Sequence, residues 1–390
     1  MRIDRVEIYP LTGMRYRRLW RNAKGVQGGP DQMRWSFNVV VRIRTDDGAV
    51  GWGEVGPNNP YQNETTWSVV AALERFYAPA LVGRDPWDIG PLHRAMEALL
   101  PGNPHARTAI DLALHDLAGK SAGQPVWALL GGRCHRRIPV KFPLSQTENA
   151  AEAVDQARQL VAETGTRYLK VKIGPIDRLR ADVALIEALR DAFGSDLAVQ
   201  VDANASYATV AQAATALRQM LPYGLALVEQ PLPRWQLDGI AELRSRFDVP
   251  VMVDESCWSP QDAFAALGRR AADVVNVKVA KAGGLFHSRQ IAAVAAAAGA
   301  DIFVGSTTET GVGAAAGLHL YAATPNVWPV TACMFGPWLL VDDMLTAPTR
   351  LRCQDGAVEV PSTPGLGVEV DEAALERFAP APVVVDEPAS

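Results

Sequence analysis

A closed parallel α/β barrel carrying an additional α+β unit is the fold class this sequence predicts, on three observations. From about residue 138, short apolar runs rich in β-branched residues alternate with amphipathic or Ala-rich helical segments. The first 130 residues lack that alternation and read as strands followed by helices. At 390 residues the chain is also long for a single core.

The elements follow in order. MRIDRVEIYPL alternates as a strand does and lacks the apolar core of a secretory signal. Residues 38–45 form a strand, Asp47-Gly48 a turn, and 49–54 a returning strand. Helical spacing covers 65–82, 87–100 and 105–120, the last through Ile110, Leu114 and Leu117. Gly51 to Gly56 matches G-x-G-x-x-G, but a dinucleotide fingerprint needs a helix opening directly after it. Pro57, Asn58, Asn59 and Pro60 follow instead, so the glycines mark a tight strand end and no nicotinamide site is expected. Barrel strands are predicted at 139–145, 168–174, 197–204, 226–231, 250–256, 274–281, 301–307 and 327–334, with helices at 151–163, 178–193, 209–220 and 288–298 among them. The tail after 345 carries short strand signals and the turn residues Pro364, Gly365 and Gly367. The expected units are 1–130, a barrel over 131–345, and a segment 346–390 that returns to the first unit.

Composition narrows the function classes. Hydrophobic residues make up 48% and charged residues 21%, which excludes a disordered, collagen-like or coiled-coil chain. No apolar run reaches membrane-spanning length. A net charge of −5 disfavours nucleic acid as a partner. Cys134, Cys257, Cys333 and Cys353 are scattered without C-x-x-C spacing, so neither a zinc site nor a disulfide framework is indicated and a cytoplasmic setting is expected.

The chemistry sits where charge interrupts apolar strands. Barrel strands buried on both faces should be apolar throughout. Five consecutive strands break that rule: Lys170 and Lys172 on the second, Asp202 and Asn204 on the third, Glu229 on the fourth, Asp254 and Glu255 on the fifth, Asn276 and Lys278 on the sixth. Residues two apart share a face, so Lys170 lies with Lys172, Asp202 with Asn204, and Asn276 with Lys278. Strand ends one strand–helix unit apart line one barrel mouth, where barrel enzymes carry their active sites. Buried charges rarely gain stability over apolar packing, so a cluster of three carboxylates and three lysines indicates function. Carboxylates without histidine or cysteine make a hard oxygen site suited to Mg²⁺, with Mn²⁺ as a substitute. Lysines beside other cations and a divalent ion have their proton affinity lowered toward the range a base needs, and Lys278 can act opposite Lys172. The set suits proton transfer α to a carboxylate with a metal-held enediolate.

These residues resemble the enolase superfamily, in its mandelate racemase–muconate lactonizing enzyme family and the muconate cycloisomerase subgroup. The resemblance runs over nearly the whole chain. It is carried by K-x-K at 170–172, V-D-A-N at 201–204, E-Q-P at 229–231, D-E-S at 254–256, N-x-K at 276–278, Gly283-Gly284 and the run from Asp116 to Gly132. It implies a modified TIM barrel, (β/α)7β, under an α+β capping domain built from both ends of the chain. It implies Asp202, Glu229 and Asp254 as metal ligands, Lys172 and Lys278 as the acid/base pair, and Lys170 as enediolate stabiliser. Strand parity does not choose between Asp254 and Glu255; the family pattern selects Asp254 and leaves Glu255 behind it, with Asn204. A homo-oligomer, dimer or octamer, acting on a small carboxylate is expected.

Two cap loops set specificity in such enzymes. One corresponds to about 13–34, with Arg15, Arg17, Arg18, Arg21 and Lys24, read either as a solvated basic loop or as a lid attracting a dianion. The other lies near 55–64, where Tyr61 and Gln62 are candidate contacts. Phe335-Gly336-Pro337-Trp338-Leu339-Leu340 resembles the F-G-P-x-L-L segment of muconate and chloromuconate cycloisomerases. The Asp-x-Asp of dipeptide epimerases is absent from that strand, and the histidine of mandelate racemases is absent after strand seven. These features favour a muconate-type cycloisomerase, with a racemase or epimerase of an amino-acid derivative, or a dehydratase, as the alternative. One departure is Cys333, where muconate cycloisomerases carry glutamate; it reads as a small packed residue rather than a nucleophile. Glu309 keeps the acidic position after strand seven. A Schiff-base aldolase would not need three carboxylates, and a non-catalytic relative should have lost one of the six charged groups, all of which are present.

Overall fold

The computed structural model describes residues 1–23, 25–29, 38–56, 63–379 and 381–388. Tyr61, Gln62, Lys24 and the end of the basic loop lie outside them. The first unit is built on a four-stranded antiparallel sheet in the order Val383–Val385, Ile3–Pro10, Val39–Thr45, Val50–Val55. Gly48, at φ +85°, makes the turn predicted between the last two. The helix expected over 65–82 is one run with a π-helical stretch, Leu73–Tyr77, between Thr66–Ala72 and Ala78–Leu81. A capping box of Thr65 and Ser68 starts it by satisfying otherwise orphaned N–H groups. Ile89–Leu99 and Pro104–Ser121 match the other two predicted helices.

The G-x-G-x-x-G run has a packing role. Pro104–Ser121 lies directly on strand Val50–Val55, and a Cβ at Gly51 would stand 2.2 Å from Ala113 O. One at Gly53 would stand 2.0 Å from Ala109 O. Gly53→Ala is expected to cost about 3 kcal/mol by forcing helix and sheet apart. A chemical-denaturation midpoint equal to wild type would contradict that close approach.

In the barrel, seven parallel strands run in sequence order: Phe142–Leu144, Tyr168–Lys172, Ala198–Asp202, Leu227–Glu229, Val251–Val253, Val274–Val277 and Asp301–Val304. The eighth predicted strand makes only two parallel bridges, Val327 to Ile302 and Thr331 to Val140, and these close the barrel. Several strands end sooner than the apolar runs suggest. Val279–Ala282 is a short helix rather than the end of the sixth strand, and Asp254 and Glu255 lie just past the fifth. Apolar composition does not separate a strand end from the turn of helix that follows it. Arg137–Pro139 leaves the barrel to pair with Ala357–Glu359, so the C-terminal segment first braces the barrel and then supplies Val383–Val385 to the cap sheet.

An apolar plug of Leu227, Met252, Val274, Phe303, Val330 and Ala332 fills the barrel interior. No helix among the described residues is long and apolar enough to cross a membrane.

Candidate active site

Register places the predicted groups side by side. Lys172 pairs with Asp202, and Asp202 with Glu229, on three adjacent strands. Lys170 Nζ lies 3.2 Å from Asp202 Oδ2 and 2.5 Å from Glu229 Oε2. Lys172 Nζ donates to Asp202 Oδ2 at 2.6 Å and to Asn204 Oδ1 at 2.9 Å. Lys278 Nζ reaches Asp254 Oδ2 at 2.6 Å. Asn276 Nδ2 donates to Glu229 Oε1 at 2.9 Å, and Asn204 Nδ2 to Glu255 Oε1 at 3.2 Å. Asn204 and Gln230 hold left-handed backbone at φ 44° and 37°, which is unfavourable for side-chain-bearing residues and recurs at functional sites. Gln230 Oε1 accepts from the Asp254 and Ser256 backbone N–H groups and so fixes the turn that presents Asp254.

The electrostatics follow from burial and pairing. Burial would raise the Asp202 carboxyl, but Lys172 and Lys170 hold it below the usual carboxylate range. Asp254 is held down in the same way by Lys278 and Lys281. Burial pulls Lys170 and Lys278 toward neutrality, yet Glu229 and Asp202 beside the first and Asp254 beside the second hold both above the ordinary lysine value. Glu255, desolvated and close to Asp254 and Asp202, is pushed up to about 7. Lys170 and Lys278 are therefore ammonium groups while these carboxylates neutralise them.

The donor chemistry fits a hard divalent cation. Asp202, Glu229 and Asp254 supply carboxylate oxygens, and nearby Glu255 Oε2 and Asn276 Oδ1 are buried without a hydrogen-bond partner. Among the described residues no three acidic, His or Cys side chains converge on one point, because the lysine ammonium groups engage these oxygens.

Among the described residues the cavity above them is lined by Lys141, Lys170, Lys172, Lys278 and neutral residues, including Trp20, Asn22 and Phe335, and by no carboxylate. Trp20 packs on Phe335 with ring centroids 4.9 Å apart. Among the described residues the basic loop thus contributes Trp20 and Asn22, not Arg15, Arg17, Arg18 or Arg21. In Trp20–Asn22 alternation buries those two and exposes Arg21, while Arg18 pairs with Glu163 and Arg17 donates to Leu340 O. Cys333, which stands where muconate cycloisomerases carry glutamate, is packed as expected and does not line the cavity. Alternation gives that position to Ala332, and Cys333 packs against Gly317, accepts from Thr331 Oγ1 and has its thiol pushed up to about 12 by burial. Glu309 accepts from Ser306 Oγ and from the Thr307 N–H and hydroxyl, so it shapes the loop after strand seven.

Sequence reasoning missed three tertiary contributors. Lys141 breaks the apolar-strand rule on the first strand just as the others do, and that signal was available. Lys281, on the short helix after strand six, reaches Asp254 Oδ1 at 2.7 Å. Glu54, from the cap, accepts from the Thr310 and Gly313 N–H groups at the start of helix Gly311–Ala323 and ties the cap to the mouth.

A barrel of this topology under a sheet-and-helix cap, with charged strand ends at the mouth, is the architecture of the enolase superfamily. Residues 27–131 match the N-terminal domain of the mandelate racemase / muconate lactonizing enzyme family, and residues 152–374 match the enolase C-terminal domain-like family. The chain belongs to the mandelate racemase / muconate lactonizing enzyme family. It is 33% identical over 343 residues to the N-succinyl-L-Arg/Lys racemase of Bacillus cereus, covering 87% of this chain and 90% of that one. It is 34% identical over 342 residues to muconate cycloisomerase 1-1 of Acinetobacter lwoffii, covering 87% and 88%. The structure of a dipeptide epimerase from Cytophaga hutchinsonii, complexed with Mg and the dipeptide D-Ala-L-Val, superposes with a TM-score of 0.89 at 27% identity over 99% of this chain and 100% of that one.

Proposed function

We propose that this protein moves a proton α to the carboxylate of a small anionic substrate, with Lys172 and Lys278 as acid and base and Lys170 holding the carboxylate oxygens. The observation carrying this reading is the cavity lining, whose charged groups among the described residues are all lysines while the carboxylates lie behind them. Asp202, Glu229 and Asp254 would hold Mg²⁺ or Mn²⁺, which supplies the positive field that stabilises an enediolate. Lys172 and Lys278 reach the cavity from the second and sixth strands, so a proton can be taken or delivered at either side of a planar intermediate. Trp20 and Phe335 cover the apolar part of the substrate and exclude water.

Within that chemistry the favoured reaction is muconate-type cycloisomerisation of a dicarboxylate, in which a lysine protonates the enolate carbon. Among the described residues no carboxylate faces the cavity to pair with the ammonium of a free dipeptide. The second reading, a racemase of an N-acylated amino acid, is favoured by the two lysines on different strands. Incubation in D₂O with cis,cis-muconate and with N-succinyl amino acids separates the two. Lactone formation supports the first, and α-deuteration with loss of optical activity supports the second. Activity is expected to disappear with EDTA and return with Mg²⁺ or Mn²⁺; full turnover in a metal-free preparation would sink the proposal.

A further inference from the structure

Among the described residues Lys141 is the one cavity lysine that the proposed reaction does not use. It immediately precedes strand Phe142–Leu144, is completely buried, and donates its backbone N–H to Thr331 O at 2.8 Å. Strand alternation turns Lys141 and Pro143 inward, and both line the cavity. The ammonium stands 3.9 Å from the ring centroid of Phe303, part of the apolar plug beneath the site. It therefore marks the cavity floor.

Its surroundings differ from those of the other cavity lysines. Lys170, Lys172 and Lys278 each touch Asp202, Glu229 or Asp254. An ammonium carries three donors. Among the described residues Lys141 finds one hydrogen-bond acceptor, the neutral Gln200 Oε1 at 2.5 Å, and forms no ion pair. A buried cation without a counter-charge is costly, and a purely structural role would be better served by an apolar side chain. Burial and the neighbouring Lys170 ammonium also depress its hold on the proton far below the usual lysine range, with Glu229 and Asp202 only partly opposing them. An anion entering the cavity relieves all of these penalties together.

We propose that Lys141 is a specificity-determining residue whose ammonium receives a second carboxylate of the substrate at the cavity floor, so that the enzyme selects compact dicarboxylates. This rests on the proposed function, which assigns the reacting carboxylate to Lys170 and to the metal that the strand-end acids would hold. Lys141 and Lys170 lie 3.9 and 6.0 Å from the same Phe303 ring, so the two carboxylates must be separated by a short chain.

The test is calorimetric titration of the full-length enzyme in Mg²⁺ with succinate and cis,cis-muconate, each against its monoamide, which keeps the shape and drops one charge. Wild type is expected to bind at least one dicarboxylate roughly tenfold or more tighter than its monoamide. Lys141→Met should bring that ratio close to one. Lys141→Gln, which retains an N–H donor for Gln200, should do the same if the methionine variant folds poorly. A structural role would change the melting temperature and leave the ratio intact. Equal binding of both members of each pair by wild type, or a preference that survives in the variants, overturns the inference alone. Failure of every probe to bind in a Mg²⁺-dependent way would count against the proposed function, and the inference would fall with it.

Discussion

Lys172→Ala and Lys278→Ala are each expected to lower turnover by roughly 10³-fold while leaving the fold intact, the range reached when a positioned acid or base is lost. Each side chain ends at the cavity, and each is held by carboxylate or amide oxygens rather than by apolar packing. Removing one deletes a proton carrier on one side and leaves the other in place. The α-proton exchange pattern then discriminates between reactions. In a two-base racemase, Lys278→Ala should still exchange the α-proton of one enantiomer with D₂O without forming the other. In a cycloisomerase, both variants should lose lactone formation by about that factor, and neither should exchange the α-proton of an amino-acid derivative. Loss of Mg²⁺ affinity in step with turnover would show that the lysine acted through its carboxylate. Turnover within a few-fold of wild type in both variants would remove the lysines from the mechanism.

Asp111→Ala is expected to destabilise the protein by about 3 kcal/mol, because Asp111 joins cap to barrel. This fully buried carboxylate accepts from the Leu285 N–H at 2.6 Å, from the Phe286 N–H at 3.3 Å and from His93 Nε2 at 2.7 Å, with His115 Nδ1 at 3.2 Å. Gly284, at φ +101°, permits the contact, since a Cβ there would stand 2.2 Å from Asp111 Cγ. Removing the carboxylate orphans buried donors on both units. Burial opposes ionisation of Asp111, but His115 and His93 hold it below the ordinary 3.8; its contribution is present above that value and lost as pH falls through the lowered one. Burial lowers His115, and Asp111 raises it above its ordinary 6.5; that contribution is complete below 6.5 and lost as pH rises through the raised value. The difference in melting temperature between wild type and variant should therefore be widest near pH 5 to 6 and shrink on either side. A pH-independent difference would remove the ionic part of this account.

The strand ends were legible because two periodicities are local. A barrel strand is apolar on both faces, so Lys170, Asp202, Glu229 and Asp254 stand out within a few residues of sequence, and alternation alone aligns Lys170 with Lys172. The same local rule leaves the short helix Val279–Ala282 indistinguishable from more strand, which hid Lys281. Where the arginines of the basic loop find their partners was not legible either. Arg17 and Arg18 are held by Leu340 O and Glu163, partners more than a hundred residues away.

By itself, then, the sequence determined the barrel strands, the charged groups at their ends and the chemistry they suit, because each depends on residue type and spacing within one strand; the cap over the mouth and the choice of Asp254 over Glu255 came from the family resemblance. The tertiary structure decided what shares the cavity with them. It set Lys141 on the floor over Phe303, brought Trp20 from the cap onto Phe335, turned Cys333 into the packing, and tied the two units through Asp111 and Glu54. Those partners lie far apart along the chain and meet only when the barrel closes under its cap, so no local pattern encodes them.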